Sequence, residues 1–299
     1  MLARTSGPLT GIVTHLLERP GKRLRPILVI LAASLGEADP RAIIHVGAAV
    51  ELIHLASLVH DDIIDGAKRR RGRPSVAAKW GNHTAVLIGD YLWAQAYMLL
   101  TCQAQYGVVG TMSEAIADMC QGELTQLASL YDPSGGEEAY LTRIRLKTAS
   151  LFAACCRAGA QLAGLDPACT DALADFGLQL GFAFQLKDDV LDFTASARTL
   201  GKPVGSDLRR GILTLPALRL LDDSQHGPML RACLEARRFA RGELRRLYKA
   251  AQDSGAVTYA LQSAGSRLQA ARRQLLSLPP AWAREQLLDL VESLAAAYP

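Results

Sequence analysis

The sequence predicts an all-α protein, and three observations carry the prediction. Helical periodicity runs through all 299 residues. No run of alternating Val, Ile and Thr bounded by turn signals argues for strands. Clusters of Gly, Pro, Asp and Ser cut the chain into segments mostly of ordinary or long helix length. With 49% apolar residues the chain has ample material for a core. None of its breaks is a long low-complexity linker, so residues 1–299 read as one continuous helical domain.

The breaks fall at GEADP (36–40), GAKRRRGRP (66–74), YDPSGG (131–136), GLDP (164–167), ASARTLGKPVGSDLRRG (195–211), DDSQHGP (222–228) and SLPP (277–280). Ahead of the first lies GKRLRPILVILAASLG, whose basic start and apolar run imitate a signal peptide. It begins late, at Gly21, and is shorter than the roughly 20 apolar residues that span a bilayer. It reads instead as a core helix opened by Pro26 at its first position. No other stretch reads as transmembrane. From about Leu234 the helices turn Arg-rich on one face (LEARRFARGELRRLYKAA), as an outer, solvated layer does.

Composition narrows the function. Net charge is only +4, from 33 basic and 29 acidic residues, so no general affinity for nucleic acid or anionic membrane is implied. Any anion site must be local. Cys102, Cys120, Cys155, Cys156, Cys169 and Cys233 form no CxxC pair and sit mostly among Ala and Leu, so they read as small buried hydrophobes. Reduced thiols of this kind fit a cytoplasmic protein.

The helix VGAAVELIHLASLVHDDIID is apolar on nearly every side, yet Glu51, His54, Ser57, Asp61 and Asp65 recur at steps of three and four. A single polar stripe on an otherwise apolar helix lines a polar cavity. Asp61 and Asp65 face one way, and Asp62 stands about 100° round the helix. Three carboxylates this close repel one another and call for a cation, and oxygen ligands point to Mg²⁺ rather than zinc. A lone DDxxD is also what a solvated helix face looks like. The pattern repeats, however, in GFAFQLKDDVLDF, where Gln185, Asp188 and Asp192 step through an apolar helix with Asp189 beside them. Two such helices facing each other could hold several Mg²⁺ ions, and a diphosphate bridging the metals suits that arrangement. Lys22, Arg25, Arg70, Arg71, Lys147 and Lys202 stand near segment ends, where several could converge on phosphate oxygens. KRRRGR could also be a nuclear-localisation or nucleic-acid patch, but the balanced charge and the lack of interleaved aromatics argue for a local clamp.

GKRLRP, ELIHLASLVHDDIID, RRGRPS, GDYLWAQA, CQGELTQ, RLKTASL, FQLKDDVLDF, LGKPVGSDL and TLPAL, in this order, resemble the trans-prenyltransferase family, the isoprenyl diphosphate synthases, over nearly the full chain. The wording is nearest to long-chain polyprenyl synthases, including the catalytic component II of heptaprenyl synthases, down to LSLPPAWAREQL near the C-terminus. The resemblance implies a single-domain isoprenoid synthase bundle around a deep central cavity, three Mg²⁺ per active site, and a homodimer, or a heteromer with a small regulatory subunit. Carried over by residue, Asp61, Asp65 and Asp188 would ligate metal, with Asp62, Asp189 and Asp192 completing the motifs. Arg70, Lys147, Gln185 and Lys202 would hold the allylic diphosphate. Lys22, Arg25, His54 and Arg71 would hold isopentenyl diphosphate. Thr148 would sit with Lys147 beside the reacting carbon, so Lys147, Thr148 and Gln185 form the catalytic set. His60 reads as a core histidine.

Three positions depart from the family pattern: Ile212 in RRGILTLP stands where many members carry lysine, Ala77 replaces a common His or Asn, and AAAYP lacks a basic tail. Ala56 and Ser57, five and four residues before Asp61, lie roughly 6 to 7.5 Å down the helix axis and are small, so the pocket floor reads as open and the product as longer than C20. Trp93, Tyr97 and Met98 are candidates for the residue that stops growth. The expected function is Mg²⁺-dependent synthesis of a C30 to C40 polyprenyl diphosphate for a respiratory quinone side chain, with at most transient membrane contact. A geranylgeranyl or farnesyl synthase, a silent regulatory subunit, a terpene cyclase and a nucleic-acid binder are the competing readings. Both complete aspartate motifs argue against the silent subunit, and the second motif argues against the cyclase.

Overall fold

The structure is a computed structural model that describes residues 7–18, 21–70, 72–103, 106–194 and 205–296. Arg71 and Lys202, both expected on diphosphate, lie outside these. The helices are α1 (Pro8–Leu17), α2 (Leu24–Ala33), α3 (Pro40–Ile64), α4 (Val76–Trp80), α5 (Asn82–Gln103), α6 (Tyr106–Ala128), α7 (Gly136–Ile144), α8 (Ser150–Leu162) and α9 (Pro167–Thr194). They continue as α10 (Ser206–Arg209), α11 (Leu215–Leu221), α12 (Gly227–Glu235), α13 (Arg241–Asp253), α14 (Ala256–Leu276) and α15 (Trp282–Ala296). A five-residue π-helical turn, Arg145–Ala149, joins α7 to α8. The all-α class read from the sequence holds.

Local chemistry sets the ends. Asp39 caps α3 by accepting the Arg41 N–H at 2.9 Å, with Pro40 at the first turn. The α2 helix begins at Leu24 rather than at Pro26. Pro26 is its third residue, where the missing N–H is still one of the donors a helix leaves unpaired. One small β-ribbon departs from the strand-free expectation: β1 (Arg69–Arg70) pairs antiparallel with β2 (Arg73–Pro74), and Gly72 at φ 80° turns between them. Ser75 fixes it, donating to the Ala67 carbonyl at 2.6 Å and accepting from the Ala78 N–H at 3.1 Å to cap α4. The α1 helix leans on the ribbon through His15 Nε2 and the Pro74 carbonyl oxygen, 3.0 Å apart, and through Glu18 paired with Arg73.

Two apolar clusters build the core. One joins α2, α3, α5 and α8 to the first half of α9; the other joins the second half of α9 to α11, α13 and α14. The shared helix α9 therefore spans the molecule. Close crossings depend on glycine. A Cβ on Gly159 would stand 2.5 Å from the Val29 carbonyl oxygen of α2, and one on Gly177 would stand 2.6 Å from that of Phe152 on α8. Arg241, Arg245 and Arg246 of α13 face solvent, as the Arg-rich stretch predicted.

Behind α9, the buried Lys187 donates from Nζ to the Leu294 and Ala295 carbonyls at the end of α15, at 2.6 and 2.9 Å. All six cysteines are free, but Cys102 and Cys120 are exposed and Cys169 half-buried, which corrects the reading of uniform burial. By length and composition alone, Pro40–Ile64 and Asn82–Cys102 would each suffice to cross a membrane. In the fold α3 is apolar because the first core cluster surrounds it.

Gly177→Ala should destabilise the protein by about 1 to 3 kcal/mol, because its new methyl meets backbone that cannot rotate away. A urea denaturation curve with an unchanged midpoint would show that the α8–α9 crossing relaxes freely.

Candidate active site

The α3 and α9 helices both face one cavity of about 670 Å³. His54, Ser57 and Asp61 line it from α3, and Phe184, Gln185 and Asp188 from α9. The three-and-four spacing thus produced a cavity-facing stripe. Asp65 lines an adjoining polar recess of about 150 Å³ together with Lys147, Thr148, Gln185, Asp188 and Asp189.

Electrostatics here are dominated by buried carboxylates. Burial pushes the Asp61 carboxyl up to about 6; Lys147 pulls it down, while Glu123 and Asp65 push it further up. Asp189 rises to about 7, chiefly through burial and then Asp207, against hydrogen bonds from Tyr140 and Gln185. Burial also raises Asp62, opposed by Arg70, whose Nε donates to Asp62 Oδ1 at 2.8 Å. In each case burial, more than any neighbouring charge, is what raises the carboxyl. Hard oxygen donors in such a setting fit Mg²⁺. Among the described residues no three carboxylate, His or Cys side chains converge closely enough to hold a cation by themselves. A metal here would complete its shell from water and from its ligand's oxygens.

The π turn aims the cationic side of the site. Its extra residue per turn displaces Lys147 and Thr148 from ordinary helical directions, as such turns do at functional sites. Two glycines make room for it: a Cβ on Gly122 would stand 2.7 Å from the Lys147 backbone nitrogen, and one on Gly181 would stand 2.6 Å from Ala149 Cα. The Lys147 ammonium pairs with the buried Glu123 of α6. Thr148 donates its hydroxyl to Gln185 Oε1 at 2.8 Å, Gln185 Nε2 donates to Asp189 Oδ1 at 2.7 Å, and Tyr140 donates to Asp189 Oδ2 at 2.7 Å. This relay fixes the Gln185 amide and holds Asp189 from two sides.

On the other wall Arg25 lies over the Phe152 ring, 4.8 Å from its centroid, with a buried Nε that has no hydrogen-bond partner. A desolvated guanidinium with an unused donor suits an anionic ligand. Arg23 pairs with Glu51 at 2.6 Å, so Glu51 of the stripe holds the start of α2 rather than the cavity.

Other expectations fall differently. Lys22 is exposed and off the cavity wall. Ala56 is fully buried in the apolar core, and only Ser57 of the two small residues lines the cavity. Asp192 lines neither space; it accepts from Ser206 Oγ at 3.3 Å and from the Asp207 N–H at 3.4 Å, at the start of α10. His60, expected as a core residue, lines the cavity and meets Trp93 edge to face at 5.0 Å. Of the three candidate stops only Trp93 is on the wall; Tyr97 contacts Ser113 and Met98 is exposed. Glu123, Tyr140 and Arg210 belong to the site without having been singled out, although Glu123 lies inside the quoted CQGELTQ.

Lys147→Met should destabilise the fold by about 1 to 3 kcal/mol at neutral pH, since it leaves Glu123 without its cation and Asp61 further uncompensated. Equal urea midpoints for variant and parent would mean that the pair contributes nothing net.

The polyprenyl synthetase family model matches residues 7–251. The chain is 45% identical over 219 residues to heptaprenyl diphosphate synthase component 2 of Geobacillus stearothermophilus, covering 73% of this chain and 68% of that protein. It is 36% identical over 278 residues to octaprenyl diphosphate synthase of Escherichia coli, covering 92% and 86%. Among solved structures it is similar to a polyprenyl synthase from Caulobacter crescentus CB15 complexed with calcium and isoprenyl diphosphate, with a TM-score of 0.93, 35% identity, and 99% and 92% coverage. With its two aspartate helices on one cavity, this chain belongs to the polyprenyl synthetase family, among the long-chain trans-prenyl diphosphate synthases.

Proposed function

We propose that this chain condenses farnesyl or geranylgeranyl diphosphate head-to-tail with isopentenyl diphosphate, repeatedly, to give an all-trans polyprenyl diphosphate of C30 to C40 and diphosphate. The observation that supports this most is the polarity of one cavity. Carboxylates and cations gather where α3, α9 and the π turn meet, while Trp93, Ile116, Met119 and Phe184 continue its wall in apolar side chains. Such a space matches a molecule with a diphosphate head and a growing hydrocarbon tail.

Arg70, Lys147 and Gln185 hold the allylic diphosphate, and Arg25 and His54 the isopentenyl diphosphate. Lys22, Arg71 and Lys202 keep their diphosphate roles on the motif match alone. Asp61, Asp62, Asp65, Asp188 and Asp189 would hold Mg²⁺. When bound, the metal neutralises charge developing on the departing diphosphate. The allylic C–O bond breaks with its electron pair on the leaving group, the isopentenyl double bond attacks the allylic carbon, and a proton is lost to diphosphate. Lys147 and Thr148 stand beside the reacting carbon, and the apolar wall keeps water from capturing the cation.

Residues 1–299 act as one catalytic domain in the cytoplasm, and the product serves as a quinone side chain. The words "component 2" in a relative's name support a second subunit as partner. Val86, Leu87 and Met98, exposed on α5, offer apolar surface for that subunit or for a second copy of the chain. A C15 or C20 product is the competing reading, favoured by the Trp93 and His60 rings, which line the cavity together edge to face.

Purified protein given farnesyl diphosphate, labelled isopentenyl diphosphate and Mg²⁺ should yield a ladder ending between C30 and C40. The ladder should vanish with a chelator and fall at least about a hundredfold in Asp61→Ala. A C20 endpoint would overturn the long-chain reading. No product from the chain alone, with restoration by an added small subunit, would establish the heteromer. Trp93→Ala should lengthen the products, and an unchanged distribution would remove Trp93 from the cavity's stop.

A further inference from the structure

The polar recess beside the cavity is lined by two cations that the motifs did not assign: Arg210, and the buried Arg143, whose Nη2 donates to the Leu213 carbonyl at 2.6 Å. Arg210 follows α10, and its guanidinium bonds Asp65 of α3, 145 residues away in sequence. It shares the recess with Lys147 and Gln185, proposed for the allylic diphosphate, with Asp188, proposed for its metal, and with Thr148, proposed to stand beside the reacting carbon. Ile212, where lysine is common in the family, lines the same recess and is buried, so it brings no charge.

The turn that carries Arg210 is held firmly. Tyr131 donates its backbone N–H to the Gly211 carbonyl at 2.8 Å and its hydroxyl to the Arg209 carbonyl at 3.1 Å. Gly211 has φ 78°, and a Cβ there would stand 2.5 Å from the Tyr131 ring. The Ile212 N–H closes the turn on the Asp207 carbonyl at 2.9 Å. Arg210 is thus fixed at its base, while its side chain remains about one third exposed at the recess.

We infer that Arg210 is a further diphosphate-binding residue, supplying from the end of α10 the positive charge that Ile212 does not. The inference rests on the proposed synthase reading. Asp65, Asp188, Asp189 and Asp207 all line the recess, so an anion entering it meets four carboxylates and needs fixed cations as well as metal. A guanidinium suits this better than an ammonium, because its planar fork can keep one carboxylate while presenting other N–H donors to phosphate oxygens. Lys147 and Gln185 of the allylic set line the recess with it, whereas Arg25 and His54 are absent from it, so the contact is to the allylic diphosphate.

Calorimetric titration with inorganic diphosphate in Mg²⁺ tests this, with circular dichroism to check folding. Arg210→Gln should weaken binding about tenfold to a hundredfold, and adding Ile212→Lys should restore most of it. In steady-state assays the KM for farnesyl diphosphate should rise while that for isopentenyl diphosphate stays within about twofold. Ile212→Lys alone should tighten diphosphate binding less than about threefold, because the charge is already supplied; a tenfold gain would overturn the inference even if Arg210→Gln failed to fold. Arg210→Gln binding like the parent, or a loss that Ile212→Lys does not repair, would also overturn it. A parent protein that ignores diphosphate would take down the synthase reading with it.

Discussion

Lys147 stands between Glu123 on α6 and Asp61 on α3, and the charge it neutralises governs the arrangement around it. Carboxylates held away from water are stable only beside cations or hydrogen-bond donors. Several elements around the site supply one: Arg70 from the ribbon meets Asp62, Arg210 meets Asp65, and Tyr140 with Gln185 meets Asp189. Even so, burial, with a smaller push from neighbouring carboxylates, leaves Asp61 and Asp189 raised to about 6 and about 7, and a bound cation would lower both.

That demand explains the irregular backbone. Lys147 must leave the face an α-helix would give it, and the π turn provides the displacement. The turn then needs close neighbours to stay wound. Gly122 and Gly181 admit α6 and α9 from two sides, so the least regular segment sits between two smooth helical surfaces. Rigidity is thereby concentrated where charge must be positioned most closely.

Spacing made much of this visible in advance. A polar stripe on an apolar helix announces which face looks into a cavity, and His54, Ser57 and Asp61 are found there. The same logic fails where contacts come from another part of the chain. Glu51 was placed in the stripe by its interval but is claimed by Arg23; Asp192 fits the motif but is claimed by the start of α10. Ala56 lies close to the helix's cavity side, yet the rotation of α3 against its neighbours turns it to the core, and periodicity does not encode that angle. The π turn leaves no compositional trace in RLKTA, and glycines within helices look like weaknesses until the crossing helix is present.

Lys187 and Asp188 are neighbours on α9 that point about 100° apart, one into the rear of the bundle and one to the cavity. Because the ammonium of Lys187 grips two carbonyls at the end of α15, the azimuth of α9 is indexed from behind. Turning the helix to re-aim Asp188 would pull the pin from its socket. The α15 helix also packs against α2, which carries Arg25. The proposed allylic and isopentenyl sites thus share a mounting on the far side of the molecule, and a displacement of α15 would register at both.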